Sequence, residues 1–129
     1  MGVLLTFNIG DPEKQTAIRL IALRHGLRVL EIDPAMQNCT IEELLQGKPI
    51  PVSSSADPFS DEMLLMHALP PAVFHYLLDT LRQEGQSIRL KAVVTEHNRS
   101  WTAARLHREL LAEEQAFLSR KKQRKTDMR

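Results

Sequence analysis

Two spacings of apolar residues alternate along this chain, one with the beat of a strand and one with the period of a helix. Residues 3–7 (V-L-L-T-F) are a short apolar run that reads as a first strand. Asp11-Pro12-Glu13 follows, an N-cap aspartate with proline at the first helical position and an acid in the first turn. The spacing predicts a helix from there to about His25. Ala17, Ile18, Ile21 and Ala22 form its apolar stripe, Leu20 and Leu23 widen it, and Gly26 ends it. Residues 27–32 (L-R-V-L-E-I) alternate apolar with charged more than a central strand would, which predicts an edge strand with one wet face. Asp33-Pro34 stops it.

Thr40-Ile41-Glu42-Glu43 has the spelling of a capping box, and Gly47 and Pro49 close the helix it starts within two turns. Residues 48–60 hold three prolines and four serines with no period, a composition that marks a loop, either disordered or a lid over a site. Residues 62–68 (E-M-L-L-M-H-A) read as a buried strand with Met63 to Met66 as its continuous apolar core. Pro70-Pro71 opens a third helix ending near Glu84, with Val73, Phe74, Leu77, Leu78 and Leu81 on one face and Gly85 as its stop. Residues 88–94 are the last strand. Lys91 among its apolar neighbours makes it the second edge. Asn98 is placed to cap a final helix over 99–118, with Ala103, Leu106, Leu110, Leu111 and Phe117 turned inward.

Four strands alternating with four helices predict an α/β domain with a single four-stranded parallel sheet, order 2-1-3-4, and helices on both faces. The first and last helices are expected on one face, the second and third on the other. Residues 1–118 form the domain, and 119–129 a basic, disordered tail. In such a sheet the strand order reverses between strands one and three, and a crevice opens at their carboxyl ends. The candidate ligand-binding residues there are Asn8 and Asp11 after strand one and His67 after strand three. Thr95 and Asn98 follow strand four, with His97 between them and Trp101 beside them.

The chemistry available to that crevice is limited. Its first turn, N-I-G-D-P-E, has one glycine and two acids and cannot cradle phosphate, which argues against a nucleotide enzyme. The five histidines show no metal-ligand spacing, so neither a metal nor any other cofactor is expected. Cys39, the single cysteine, precedes the capping box but has no base near it in sequence, and the serines of the 48–60 loop do not form a nucleophile elbow. One cysteine allows no internal disulfide and points to a reducing, cytoplasmic setting. No apolar run approaches a membrane span, and the first residues lack the features of a signal peptide.

The net charge of +1 conceals an asymmetry. Residues 119–129 carry six basic residues and one acidic, which leaves the rest of the chain at −4. Nucleic acid is therefore not expected as a partner except at the tail.

Three stretches, D-P-E-K at Asp11 to Lys14, E-M-L-L-M at Glu62 to Met66, and L-K-A-V-V-T-x-x-N-x-x-W from Leu90 to Trp101, give the chain a resemblance. It resembles a small uncharacterised bacterial family, a domain of unknown function, over nearly all of its length up to about Glu114. In that family a proline tends to follow the threonine, where this chain has Glu96, and the basic tail has no counterpart. The resemblance implies a small stand-alone cytosolic protein and supplies no activity. The residues thus lead to a non-enzymatic binding or regulatory module that holds a small ligand or protein partner at the carboxyl edge of its sheet. The alternatives are a homodimeric interaction module, acting through the wet edge strand or the 48–60 loop, and an enzyme using His67 or Cys39.

Overall fold

A computed structural model describes residues 2–47 and 58–127, with side chains to residue 120; residues 48–57, where the lid was expected, lie outside the described residues. The elements run β1 (Val3–Phe7), α1 (Pro12–His25), β2 (Arg28–Ile32), a 3-10 turn (Pro34–Met36) and α2 (Ile41–Leu45). They continue with β3 (Met63–His67), α3 (Pro71–Gln83), β4 (Leu90–Val93) and α4 (Ala103–Asp127). Each predicted element is present. The first helix begins as its spelling dictates, with the Asp11 carboxylate accepting from the Glu13 N–H at 3.0 Å. The Thr40–Glu43 capping box is complete, each side chain accepting from the other's backbone N–H.

The strands lie in the order β2-β1-β3-β4, with β2 and β4 at the edges. The sheet is mixed and not parallel, which corrects the expectation. β1 pairs with β2 in parallel and β3 with β4 in parallel, but β1 and β3 are antiparallel, centred on Leu5 opposite Leu65. An apolar run buried on both faces looks the same in either direction, and the long connection from β2 to β3 can deliver the chain to either end of the sheet.

That one reversal also reassigns the helices. β1-α1-β2 and β3-α3-β4 are both right-handed crossovers, but they run in opposite directions and step toward opposite edges, so α1 and α3 fall on the same face. Ala17, Ile18, Ile21 and Ala22 of α1 meet Leu77 and Leu81 of α3 over Leu4, Leu64 and Met66. Ile41 and Leu44 of α2 join Ala103 and Leu106 of α4 on the other face, over Leu5, Phe7, Met63, Leu65 and Leu90. The pairing of α1 with α4 and α2 with α3 expected from a parallel sheet is thereby overturned.

The result is two β-α-β-α units related by an approximate twofold axis through the Leu5–Leu65 junction. Matching details recur in both. Asn8 and Ala68, just past β1 and β3, both have left-handed φ values, 59° and 57°. Pro12 and Pro71 open the first helix of each unit, and Gly26 and Gly85 close it at φ 65° and 70°. The residue after each glycine donates back into the helix, Leu27 to the Ala22 carbonyl and Gln86 to that of Leu81, both at 2.8 Å. Thr40 and Thr102, each just before the second helix of its unit, bridge one another antiparallel. The Ile41 N–H donates to the Trp101 carbonyl and the Ala103 N–H to that of Cys39.

Candidate functional site

With β3 reversed, the carboxyl ends of β1 and β2 share one pole of the sheet with the amino ends of β3 and β4. The residues expected to line one crevice are therefore divided. Asn8 and Asp11 lie at one pole, and His67, Thr95, Asn98 and Trp101 at the other. Val3 opposite His67 and Phe7 opposite Met63 place the two groups a strand length apart, about 13 Å at ~3.3 Å per residue.

At the pole of His67, the Asn98 side chain is committed to the backbone. It accepts from the Thr95 N–H at 2.8 Å and donates to the Val93 carbonyl at 3.1 Å, while its own N–H donates to the Thr95 hydroxyl at 3.2 Å. Asn98 thus closes a turn before the helix and does not cap it. α4 begins at Ala103 and not Arg99, with the Thr102 hydroxyl accepting from the Arg105 N–H, and it continues past Leu118 to Asp127. Trp101 is half-buried, with the Arg105 guanidinium 4.1 Å above its ring and His97 against its edge. Cys39 is fully buried beneath α2 and α4.

At the other pole the chain builds a groove of about 360 Å³ between the amino-terminal half of α1 and the edge strand β2. Alternation brings Val29 and Glu31 onto its strand wall, and one helical turn separates Gln15 from Arg19 on its helix wall. Ile9, Ile18 and Pro34 supply apolar surface. Arg19 and Glu31 form an ion pair across it, exposed at the rim. Thr6 is only 7% exposed as a residue and lies in the lining. Asn8 also lines the groove, but its amide donates to the Phe59 and Asp61 carbonyls at 2.9 and 3.1 Å. Asp11 is exposed and spent on the helix start.

Sequence reasoning passed over the residues that support this pole. Gln37, 1% exposed, exchanges two hydrogen bonds with the backbone of Phe59, at 3.0 and 2.8 Å. His107 lies 2.8 Å from the Asp61 carboxylate and stacks on Phe59 with ring centroids 4.0 Å apart. Arg89 bridges Asp61 to Glu114, and its hydrogen bond to Glu114 holds that carboxyl below its ordinary range. Nothing in the local sequence links positions this far apart. The groove itself had a signal, the apolar-charged alternation of β2 beside the i, i+4 pair Gln15 and Arg19.

The fold is a small α/β domain of two twofold-related units, with a groove between the first helix and the edge strand of each, about 360 Å³ on the first and about 310 Å³ on the second. A family model described as a domain of unknown function (DUF3783) matches residues 62–117. The match starts one residue before β3 and ends within α4, so it takes in the second unit and the stretches Glu62 to Met66 and Leu90 to Trp101, whereas Asp11 to Lys14 lies outside it. No curated protein and no solved structure matches the chain. No helix among the described residues is long and apolar enough to cross a membrane, and no group of three or more histidine, cysteine or acidic residues among them could hold a metal ion.

Proposed function

We propose that this protein is a non-enzymatic binding module whose ligand lies in the groove between α1 and β2. The observation that carries the reading is the groove itself, about 360 Å³, whose wall combines the apolar surface of Ile9, Ile18 and Val29 with the polar side chains of Thr6, Asn8 and Gln15. That volume falls in the range of small-molecule sites, and its mixture of apolar walls with a few polar groups is the usual composition of one. Arg19 and Glu31 neutralise each other, so the groove suits an uncharged, largely apolar ligand with one or two hydrogen-bonding groups. Among the described residues of the lining, Arg19 and Glu31 are the ionisable side chains, and they are bound to one another. A single, fully buried cysteine suits work in a reducing compartment such as the bacterial cytoplasm.

The test is an amide-shift titration with a library of small neutral fragments. Binders should move the resonances of Thr6, Gln15, Val29 and Glu31. Gly10→Phe should abolish those shifts, because a Cβ at Gly10 meets nothing within 4 Å and the ring can occupy the groove without disturbing the fold. Fragments that leave these residues unmoved, or bind the Gly10→Phe variant equally well, would remove the reading.

A further inference from the structure

The second groove lies on the same face of the sheet as the first but at the opposite edge, between α3 and β4, with a volume of about 310 Å³. Leu64, Leu78, Leu81 and Ile88 supply its apolar surface. His75, Asp79 and Arg82 follow one another at helical spacing along its α3 wall, and Lys91 stands on its strand wall.

The internal repeat marks Lys91 as a departure. β1 sets Leu4 beside Val29 of its edge strand, and β3 sets the equivalent Leu64 beside Lys91. Residues paired across neighbouring strands share a face. Lys91 therefore turns toward α3, at the position where the first unit packs Val29 against its core. An inward lysine can guard an edge strand against pairing, but a guard needs no groove beneath it. Here the Lys91 ammonium donates to the carbonyl of Ile88, another residue of the lining, at 3.0 Å, which keeps the cation beside the apolar surface.

Charge then selects the ligand. In each groove one ion pair cancels itself, Arg19 with Glu31 in the first and Arg82 with Asp79 in the second, at 3.1 Å. The second lining holds one cation more, Lys91, and no carboxylate among the described residues pairs with it. His75 adds no negative charge in either protonation state. We propose that the second groove binds a monocarboxylate with an apolar body, the body lying on Leu64, Leu78 and Ile88 and the carboxylate meeting Lys91. An ammonium has three donors, of which the Ile88 carbonyl takes one. Its bonds to a carboxylate are charge-assisted and stronger than those to a neutral acceptor. A single cation beside apolar surface favours one negative charge with a body attached over a bare, multiply charged anion. This site goes beyond the neutral ligand of the first groove and does not depend on it.

The test follows the amide shifts of the full chain with three probes: hexanoate, its uncharged isostere hexanamide, and inorganic phosphate. Hexanoate should move Leu64, Leu78, Ile88 and Lys91 saturably, and should bind there roughly tenfold tighter than hexanamide. Phosphate at the same concentrations should leave those residues in place. Lys91→Gln should abolish the preference for hexanoate and Lys91→Arg should keep it. Both should retain the circular dichroism of the parent, because the side chain is exposed. Gly10→Phe, which fills the first groove, should leave hexanoate binding unchanged, so the two sites stand or fall separately. The proposal is overturned if hexanoate leaves the four residues unmoved, or if hexanamide or phosphate binds there as tightly. It is equally overturned if Lys91→Gln keeps the preference, if Lys91→Arg loses it, or if Gly10→Phe removes hexanoate binding.

Discussion

The two units of this protein share one plan and differ in how each is finished. The first ends β1 in an asparagine at a left-handed φ, and the amide of that asparagine ties down the segment entering β3. The second places an alanine at the equivalent left-handed position, where a Cβ is unfavourable and no side chain offers compensation. Both units leave a groove between the first helix and the edge strand, of about 360 Å³ in the first and about 310 Å³ in the second. The second ties the Val93 carbonyl to Asn98 and packs Trp101 beside the turn. Repetition supplies the scaffold, and the two units differ in the side chains that finish their strand ends.

The sharpest way to break the comparison is at its centre. Leu5→Ala and Leu65→Ala face one another on the internal axis, both fully buried, and each should cost ~2–5 kcal/mol in urea unfolding. Equal costs support equivalent units; a difference above about 2 kcal/mol would show that one unit dominates the core. Asn98→Ala uncaps the Val93 carbonyl and loses the Thr95 turn, and should cost ~1–3 kcal/mol in thermal unfolding. It should also promote association through β4, readable by light scattering.

The paired threonines offer a smaller contrast. Thr40→Ala and Thr102→Ala should each cost ~1 kcal/mol. Only the first should alter the response to acid. Its backbone and side-chain hydrogen bonds to Thr40 hold the Glu43 carboxyl below its ordinary value. A lowered folded value means stability that is present at neutral pH and lost as the pH falls through it. Glu43→Gln keeps the capping geometry but cannot titrate, so it should flatten that part of the acid unfolding curve. The smallest effect is expected at the strand exits. Ala68→Gly relieves a left-handed alanine and should stabilise by ~0.5–1 kcal/mol, whereas Asn8→Gly forfeits two hydrogen bonds and should destabilise. The same sign at both sites would contradict the roles assigned to them.

Much of this architecture is written locally. Asp11-Pro12, Thr40 with Glu43, Gly26 and Gly85 mark element ends by chemistry that acts within a few residues, and the alternation of residues 27–32 marks an edge. The direction of Met63–His67 is written nowhere nearby, because burial on both faces erases the alternation that would betray its setting. The candidate site depended on that direction. The reversal therefore leaves Asn8 and Asp11 at one pole of the sheet and carries His67, Thr95 and Asn98 to the other. Gln37 and His107 act across gaps of 22 and 46 positions and had no local sign.

The antiparallel junction of β1 and β3 has an electrical consequence as well. In a parallel four-stranded sheet the crossover helices all point the same way, and their aligned peptide dipoles gather positive potential at the carboxyl edge, where anionic ligands are drawn. Here α1 and α3 lie side by side with opposed senses, so their long-range fields cancel. Under the binding role proposed above, a ligand entering the groove gains no joint attraction from these two helices and would be recognised by short-range contacts with Thr6, Gln15 and the apolar walls around them.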